Sequence, residues 1–203
     1  MTLRTISEFK SQLKGGGARP NLFEVTIPQF PSAVGGNYWN QEAQKDFSFF
    51  CEATSMPAST VNPIDIPFRG RVLKVAGDRT IDLWSVTVIN DENFRVRTAF
   101  EAWANAISKL NDATGVTNPS SYMANTAEVK QLGRGSTLEA DKNTGGKQVV
   151  LRTYKVYDIW PSSVGPIDLS YSDNNNIERF TVDFQMQYFE IGASGDANKD
   201  IIK

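Results

Sequence analysis

Hydrophobic and polar side chains alternate along several stretches of this chain, and alternation with a period of two is typical of β-strands. The stretch that organises the chain is residues 75–91, where Trp84, Val86 and Val88 fall on one side of a predicted strand and Asp82 joins them at its solvated end. The most regular alternation lies at residues 178–190, and its inward face comprises Phe180, Val182, Phe184, Met186 and Tyr188. We expect each stretch to be a strand with one buried face.

Shorter alternating runs predict further strands around these two. They lie at residues 19–27, 46–53, 64–75, 147–160 and 167–171. Within residues 64–75, Pro67 favours an edge position and Gly70 favours a bend or bulge. Seven or eight strands at this spacing indicate a mainly β fold, an antiparallel sandwich or barrel.

Helical spacing appears in two places. Residues 91–110 predict one flanking amphipathic helix, capped near Asn90 and Asp91, whose core face is formed by Val96, Phe100, Trp103, Ile107 and Leu110. Residues 5–13 predict a short N-terminal helix, because Thr5 and Glu8 have the spacing of a capping box. One side of that short helix carries Ile6, Phe9 and Leu13.

Polar and glycine-rich stretches divide the chain into three parts. We expect an N-terminal arm at 1–17, a single β domain at 18–190 and an irregular tail at 191–203. Gly15–Gly17 predicts a hinge, because glycine accepts many backbone conformations. Long loops are expected at about 32–45 and 111–146, the second with a short strand or helix near 128–132.

Turn-forming residues are expected to separate the strands. The predicted turns lie at residues 76–80, 161–165 and 172–176. Trp39 and Tyr38 lie in the first long loop. They are interpreted as an anchor that packs the loop onto the body, with a contact in an assembly as the alternative.

Composition excludes several kinds of catalytic and metal site. The 203 residues include no histidine, so Ser-His-Asp and Cys-His catalysis and histidine-containing zinc sites are excluded. Cys51 is the one cysteine and is interpreted as a small buried apolar residue. We therefore expect no enzyme, no cofactor and no metal, and a calcium loop at 172–176 is rejected because its acidic spacing is missing.

Charge and hydropathy limit the partners. The net charge is −2, which does not favour tight binding of nucleic acid. Four basic residues lie close in sequence (Arg69, Arg71, Lys74 and Arg79), and a solvated strand edge explains them better than a nucleic-acid patch. The N-terminus lacks the apolar run of a signal peptide, and no run of about 18 apolar residues predicts a membrane span. The chain is expected to be made in a reducing cytosol.

Five ordered pieces of sequence resemble the tail tube proteins of contractile-tailed bacteriophages. The pieces, found between about residues 18 and 190, are ARPNLFEV, FCEATSMPA, VAGDRT with WSVTVINDE, YDIWPSSVG and DNNNIERFTV. The resemblance implies a β-sandwich or barrel with a flanking helix, and hexameric rings stacked into a hollow tube through which the genome is ejected into the host.

The same resemblance implies partners and a location. Besides further copies of itself, the chain would meet a tail sheath protein and baseplate and tail terminator proteins, with tape measure protein and DNA transiently in the lumen. It would reside in the virion tail, assembled in the host cytoplasm. A tube subunit of a type VI secretion or bacteriocin-like injection system is the alternative, since its subunit physics would be the same.

The basic and acidic residues around residue 80 are the candidate subunit contacts. We hypothesise that the turn at residues 77–80 touches an adjacent subunit or ring. The candidate interface residues are Gly77, Asp78, Arg79, Asp82, Arg69 and Arg71. The alternative is that Arg79 simply pairs with Asp78 or Asp82 on one surface. A carboxylate-based hydrolase and a nucleic-acid-binding module are the competing functions from other classes.

Overall fold

The structure is a computed structural model that describes residues 5–13, 17–35, 37–134 and 149–192, together with the backbone of 200–202. Its helices are α1 (Ile6–Gln12), α2 (Gln41–Phe50), α3 (Arg95–Ile107) and α4 (Pro119–Tyr122). Its strands are β1 (Phe23–Thr26), β2 (Cys51–Thr54), β3 (Ser59–Phe68), β4 (Arg71–Ile81), β5 (Trp84–Ile89), β6 (Ala124–Leu132), β7 (Val150–Val164), β8 (Arg179–Gln185), β9 (Tyr188–Gly192) and β10 (Asp200–Ile202).

Eight of the strands form one antiparallel sheet, which confirms the expected mainly β fold. The hydrogen-bonded order is β1-β6-β7-β8-β5-β2, with β9 on β7 and β10 on β9. The first part of the 15-residue strand β7 pairs with β6 and β9, and its last part pairs with β8. Between these parts Asp158 has a φ of 52°, so β7 turns from one half of the sheet into the other.

The core lies between one face of this sheet and the helices α2 and α3. Strands β5 and β8 bury alternate residues, as predicted, and the fully enclosed ones include Trp84, Val86, Val88, Val182 and Phe184. On α3, Phe100 contacts aromatic rings from three other segments, with centroids 5.5–5.8 Å away: those of Phe30, Trp39, Phe47 and Phe184. Burial of such large apolar surfaces supplies the main stabilisation of the fold.

The flanking helix α3 is confirmed, but its ends differ from the prediction. It begins at Arg95, after Phe94 with a left-handed φ of 52°, and not at Asp91. The side chain of Asn90 does not cap it, because its Nδ2 donates to Glu178 Oε2 at 2.8 Å. Leu110 lies beyond the helix and is 97% exposed, so its assignment to the core face is wrong.

Helix α2 replaces part of the loop expected at 32–45 and most of the strand expected at 46–53. The side chain of Asn40 accepts a hydrogen bond from Ala43 N at 2.9 Å and so caps the helix. Ala43 and Phe47, four positions apart, are its buried residues, whereas Phe49 is 74% exposed. The three phenylalanines at 47, 49 and 50 suggested a strand because a short apolar run does not distinguish the two periods.

Trp39 anchors its segment to the body, as interpreted from the sequence. Its Nε1 donates to Ile27 O at 2.9 Å, and its ring stacks on Phe30 at 3.9 Å between centroids. Tyr38 remains 46% exposed and takes no part in this anchor.

The second long loop contains more regular structure than expected. Helix α4 and the nine-residue strand β6 lie inside residues 111–146, and residues 135–148 lie outside the described part of the chain. The turn expected at 161–165 is wrong, because β7 continues to Val164. Residues 167–171 form no strand.

The two ends of the chain are partly regular. Helix α1 has the predicted capping box, formed by Thr5 and Glu8, but buries none of its residues. Only Gly17 of the predicted hinge is described. At the other end the expected irregular tail is wrong where it is described, since β9 reaches Gly192 and β10 pairs with it. The single inward strand expected at 178–190 is interrupted after Gln185, and Tyr188 is 46% exposed.

Candidate subunit interface

Strands β3 and β4 form a separate two-stranded hairpin that carries all six predicted interface positions on it or beside it. Its turn is Arg69-Gly70, with φ angles of 44° and 79°, and two left-handed residues are what a tight type I′ hairpin turn requires. The turn expected at 76–80 is therefore wrong, because these residues lie within β4. The bend expected at Gly70 is the actual reversal of the chain.

The pairing register gives the hairpin two chemically different faces. Directly opposed residues of an antiparallel pair share a face, and the pairs Ile64–Val75, Ile66–Leu73 and Phe68–Arg71 alternate with Asp65–Lys74 and Pro67–Val72. One face therefore carries Arg71 at the tip and five apolar residues, which are called here the apolar hairpin face: Ile64, Ile66, Phe68, Leu73 and Val75.

The apolar hairpin face has no cover within the described chain. Its side chains are between 38% and 65% exposed. An isolated two-stranded hairpin is at best marginally stable in water, and a contiguous exposed apolar patch usually marks a contact with another molecule. The hairpin is therefore a candidate contact surface.

The opposite face is polar at its centre. Lys74 Nζ lies 2.9 Å from Asp65 Oδ1, and both side chains are more than half exposed. Water screens such a pair, so it adds little to stability but keeps this side of the hairpin compatible with solvent.

The base of the hairpin is fixed to the body by a few contacts. Ile81 packs against the core, and Asp82 N donates to Ala58 O at 3.1 Å. Gly77 lies where the strands come close, because a Cβ there would be 2.8 Å from both Asn62 O and Ile64 Cγ1. Glycine at this position therefore permits the strand pairing.

The six sequence-predicted residues fall into two groups. Arg69 and Arg71 lie at the tip, whereas Gly77, Asp78, Arg79 and Asp82 lie near the base. Among the ion pairs of the described residues, none joins Arg79 to Asp78 or Asp82, and the contact of Arg79 with an adjacent subunit stays a prediction. The charged members are exposed and free to meet another surface.

Sequence reasoning missed the apolar hairpin face. The alternation of Ile64, Ile66 and Phe68 was visible, but residues 64–75 were interpreted as one strand. Joining the two apolar rows required a chain reversal at Arg69-Gly70, and the Arg-Gly pair is a weaker turn motif than Asn-Gly.

Other chemistry in the described residues is sparse. Cys51 is buried, as predicted, and burial raises the pKa of its thiol to about 12, so it stays protonated and unreactive at neutral pH. Within the described ranges there is no group of three or more histidine, cysteine or acidic residues placed to hold a metal. Over those same residues, no helix has the length and apolar character needed to cross a bilayer.

A hairpin that projects from a β-sheet body and exposes one apolar face is typical of a class of protein, namely subunits that other chains complete. The comparisons agree with that class. The model of the phage tail tube protein family matches residues 18–192. The chain therefore belongs to the phage tail tube protein family, and its function is that of a structural component of a contractile phage tail.

One relative supports this assignment, and two solved structures share the fold. The tail tube protein gp19 of Enterobacteria phage T4 is 37% identical over 177 residues, covering 87% of this chain and 93% of that protein. The fold is similar to a chain in the baseplate of the anti-feeding prophage, with a TM-score of 0.59 at 12% identity, covering 87% of this chain and 96% of that one. It is also similar to a chain in the sheath–tube complex of an extracellular contractile injection system, with a TM-score of 0.52 at 14% identity, covering 90% and 97%.

Proposed function

We propose that this chain is the repeating subunit of a tail tube and that it assembles as hexameric rings stacked around a channel for the ejected genome. The observation that carries the proposal is the uncovered apolar hairpin face. A tube contains many identical copies, so another copy is the partner present wherever a hairpin projects. Covering this face with a second copy removes its half-exposed side chains from water at about 25 cal/mol per Å² of apolar surface.

The candidate interface residues belong to the same contact. Arg69 and Arg71 at the tip, and Gly77, Asp78, Arg79 and Asp82 near the base, frame the apolar hairpin face with charge at both ends. A polar rim around an apolar centre is the usual anatomy of a protein interface. In this arrangement the apolar centre supplies affinity, and the charged ends fix the register of the contact.

Further partners follow from a place in the tail. We include in the proposal a tail sheath protein outside the tube, baseplate and tail terminator proteins at its ends, and tape measure protein and DNA transiently inside. Two chains of similar fold come from a baseplate and from a sheath–tube complex, which supports such surroundings. The proposed location is the virion tail, assembled in the host cytoplasm, and no catalytic activity is proposed.

A tube of a type VI secretion or bacteriocin-like injection system is the second candidate. Its support is the likeness of fold to injection-system chains at 12% and 14% identity. The 37% identity to a phage tail tube protein favours the phage. The neighbouring genes decide between them, because capsid genes accompany one and secretion genes the other.

Electron microscopy of matched hairpin variants tests the proposed assembly. Leu73 and Val72 are adjacent and 59% and 57% exposed, but they lie on opposite faces of the hairpin. We expect the unchanged chain to form uniform hollow tubes or rings at high concentration. Leu73→Asp should abolish them, because a carboxylate would be buried in the contact, whereas Val72→Asp should leave them intact.

A third variant isolates the charged rim. Arg79→Ala should weaken assembly and make it less sensitive to salt, because a rim charge acts mainly through long-range attraction. Unchanged assembly would remove Arg79 from the interface without affecting the apolar contact. Equal assembly by the Leu73 and Val72 variants, or a monomer at every concentration of the unchanged chain, would contradict the proposed function.

A further inference from the structure

A second pair of surfaces in the structure remains uncovered: the apolar stripe of α1 and a groove beside β1. We propose that the stripe of one copy docks into the groove of a neighbouring copy, so that the N-terminal helix straps two subunits together. This inference rests on the proposed assembly of the chain, but it assigns a separate contact from the one made by the hairpin.

Helix α1 is preformed for such a contact. Thr5 N donates to Glu8 Oε2 at 3.0 Å, and Glu8 N donates to Thr5 Oγ1 at 3.2 Å, so the first turn is closed by reciprocal hydrogen bonds. The stripe of Ile6, Phe9 and Leu13 is nevertheless 77%, 66% and 44% exposed. A helix this short is unstable in water on its own, so an apolar partner is needed to hold it.

The groove offers such a partner. It lies between β1 and β2, the two edge strands of the sheet, which are not hydrogen-bonded to each other. Residues of α2 also line it. Its volume is about 1160 Å³, and its apolar wall includes Phe23, Ile27, Phe49, Leu132 and Val150. Phe49 is 74% exposed here although it belongs to a regular helix, which leaves a large apolar ring without cover.

The groove has the dimensions of one short helix. A seven-residue helix is about 10 Å long and about 10 Å across, which corresponds to roughly 800 Å³. That volume fits within the groove and leaves space for the side chains of the stripe. An amphipathic helix in an apolar groove is a recurrent mode of protein recognition.

Charged groups lie on both surfaces of this contact. On α1, Lys10 is four positions from Ile6 and three from Leu13, so it flanks the stripe, whereas Glu8 lies on the other side of the helix. The charged residues that line the groove are Glu24, Lys45, Glu52 and Lys130. A helix seated by its stripe therefore turns Lys10 towards a lining that includes two carboxylates.

The single chain leaves both surfaces open although they are close in sequence. Leu13 and Asn21, at the edge of the groove, are eight positions apart, a span of at most about 28 Å. Phe9 and Phe49 nevertheless both remain exposed. Burial of the stripe is therefore assigned to the assembled state, in which a neighbour supplies the groove.

Cross-linking between two differently labelled chains tests the strap. In a full-length Cys51→Ala background, one chain carries Phe9→Cys and the other carries Phe49→Cys. When the two are mixed, assembled and oxidised, a disulfide-linked heterodimer can form only if the helix of one copy reaches the groove of another. Replacing Phe9→Cys by Ser11→Cys, on the opposite side of α1, should lose the cross-link.

The outcomes separate the two proposals. A heterodimer in the Phe9–Phe49 mixture, lost with Ser11→Cys, supports the strap. Tubes without this cross-link overturn the strap and leave the proposed function in place. A disulfide that forms only within a single chain carrying both cysteines overturns it in favour of a helix in its own groove. Absence of any assembly under electron microscopy overturns both proposals.

Discussion

Single polar side chains attach the irregular segments of this protein to its sheet. Gln131 is buried on the inner face of β6, where its Nε2 donates to Arg19 O at 2.7 Å and to Leu22 O at 2.6 Å. These carbonyl groups belong to the segment that leads from the N-terminal arm into β1. One amide group thus fixes the point at which the arm leaves the body.

Removing this amide should destabilise the subunit. Gln131→Ala removes two hydrogen bonds, while Arg19 O keeps Leu22 N and Leu22 O keeps Leu132 N as backbone donors, and a lost hydrogen bond of this kind costs about 0.5–1.5 kcal/mol. We expect the free energy of unfolding, measured by urea denaturation below the concentration for assembly, to fall by at least the lower of these values. Gln187→Ala, at an exposed position between β8 and β9, is the control and should change little.

Burial of single residues was predictable where the residue is apolar and not where it is polar. Trp84 and Cys51 are buried as expected, because their chemistry alone favours the interior. Gln131 could not be recognised, since its acceptors at Arg19 and Leu22 are 112 and 109 positions away. Its neighbours are Lys130 and Leu132, and the polarity of its amide gives no indication that this side chain points inward.

Elements with a long, consistent period were predictable, and short ones were not. β5, β8 and α3 have regular burial over their whole length. Helix α2 and the hairpin were mistaken because each has a local pattern that fits two structures. Gly77-Asp78 resembles a turn in sequence, and only the pairing with the region of Asn62 shows that Gly77 serves close strand contact.

Two members of one helical pattern should respond oppositely to truncation. Phe100 is fully buried among aromatic rings, whereas Leu110 is 97% exposed. Phe100→Ala should lower the free energy of unfolding by about 3–5 kcal/mol through lost contacts and a cavity. Leu110→Ala should leave it within about 0.5 kcal/mol, as for ordinary surface positions.

Thermal and urea unfolding of these two variants checks the boundary of α3 directly. A large loss of stability in Leu110→Ala would show that the helix extends beyond Ile107 and buries its end. A small loss in Phe100→Ala would show that the aromatic cluster does not hold the helix on the sheet.

The whole molecule carries little net charge, and five of its cations form ion pairs among the described residues. The net charge is −2, and Lys74, Arg95, Arg97, Lys130 and Arg179 each lie within 3.5 Å of a carboxylate. Binding to nucleic acid through counterion release needs many free cations on one surface. In the proposed tube, a wall of such subunits would therefore not hold DNA.

Retention on DNA measures this property. The subunit should pass through a duplex DNA column at about 0.15 M salt, where non-specific binding by a weakly charged protein is negligible. Strong retention that falls steeply with salt would instead support the nucleic-acid-binding interpretation of Arg69, Arg71 and Lys74. A variant with Asp65→Ala, which frees Lys74, is a matched comparison and should be retained slightly more.

The surface proposed to contact other copies was the feature hardest to predict from the sequence. The candidate residues near Gly77 and Arg71 were chosen because charged and glycine residues cluster there, and they lie on β4 and not in the expected turn. The apolar side chains that dominate its surface follow only from the register between β3 and β4, because a shift of one residue would exchange its faces.

The contrast between the two sides of the hairpin gives any polymer of this chain a direction. The hairpin is apolar on one face and carries Asp65 and Lys74 on the other, so it fits a neighbour in one orientation. A subunit added in the reverse orientation would leave the apolar face exposed to water. Growth is then head-to-tail, and the finished filament has two unlike ends. In the proposed tail, each end of the tube would therefore present a different surface for another protein to bind.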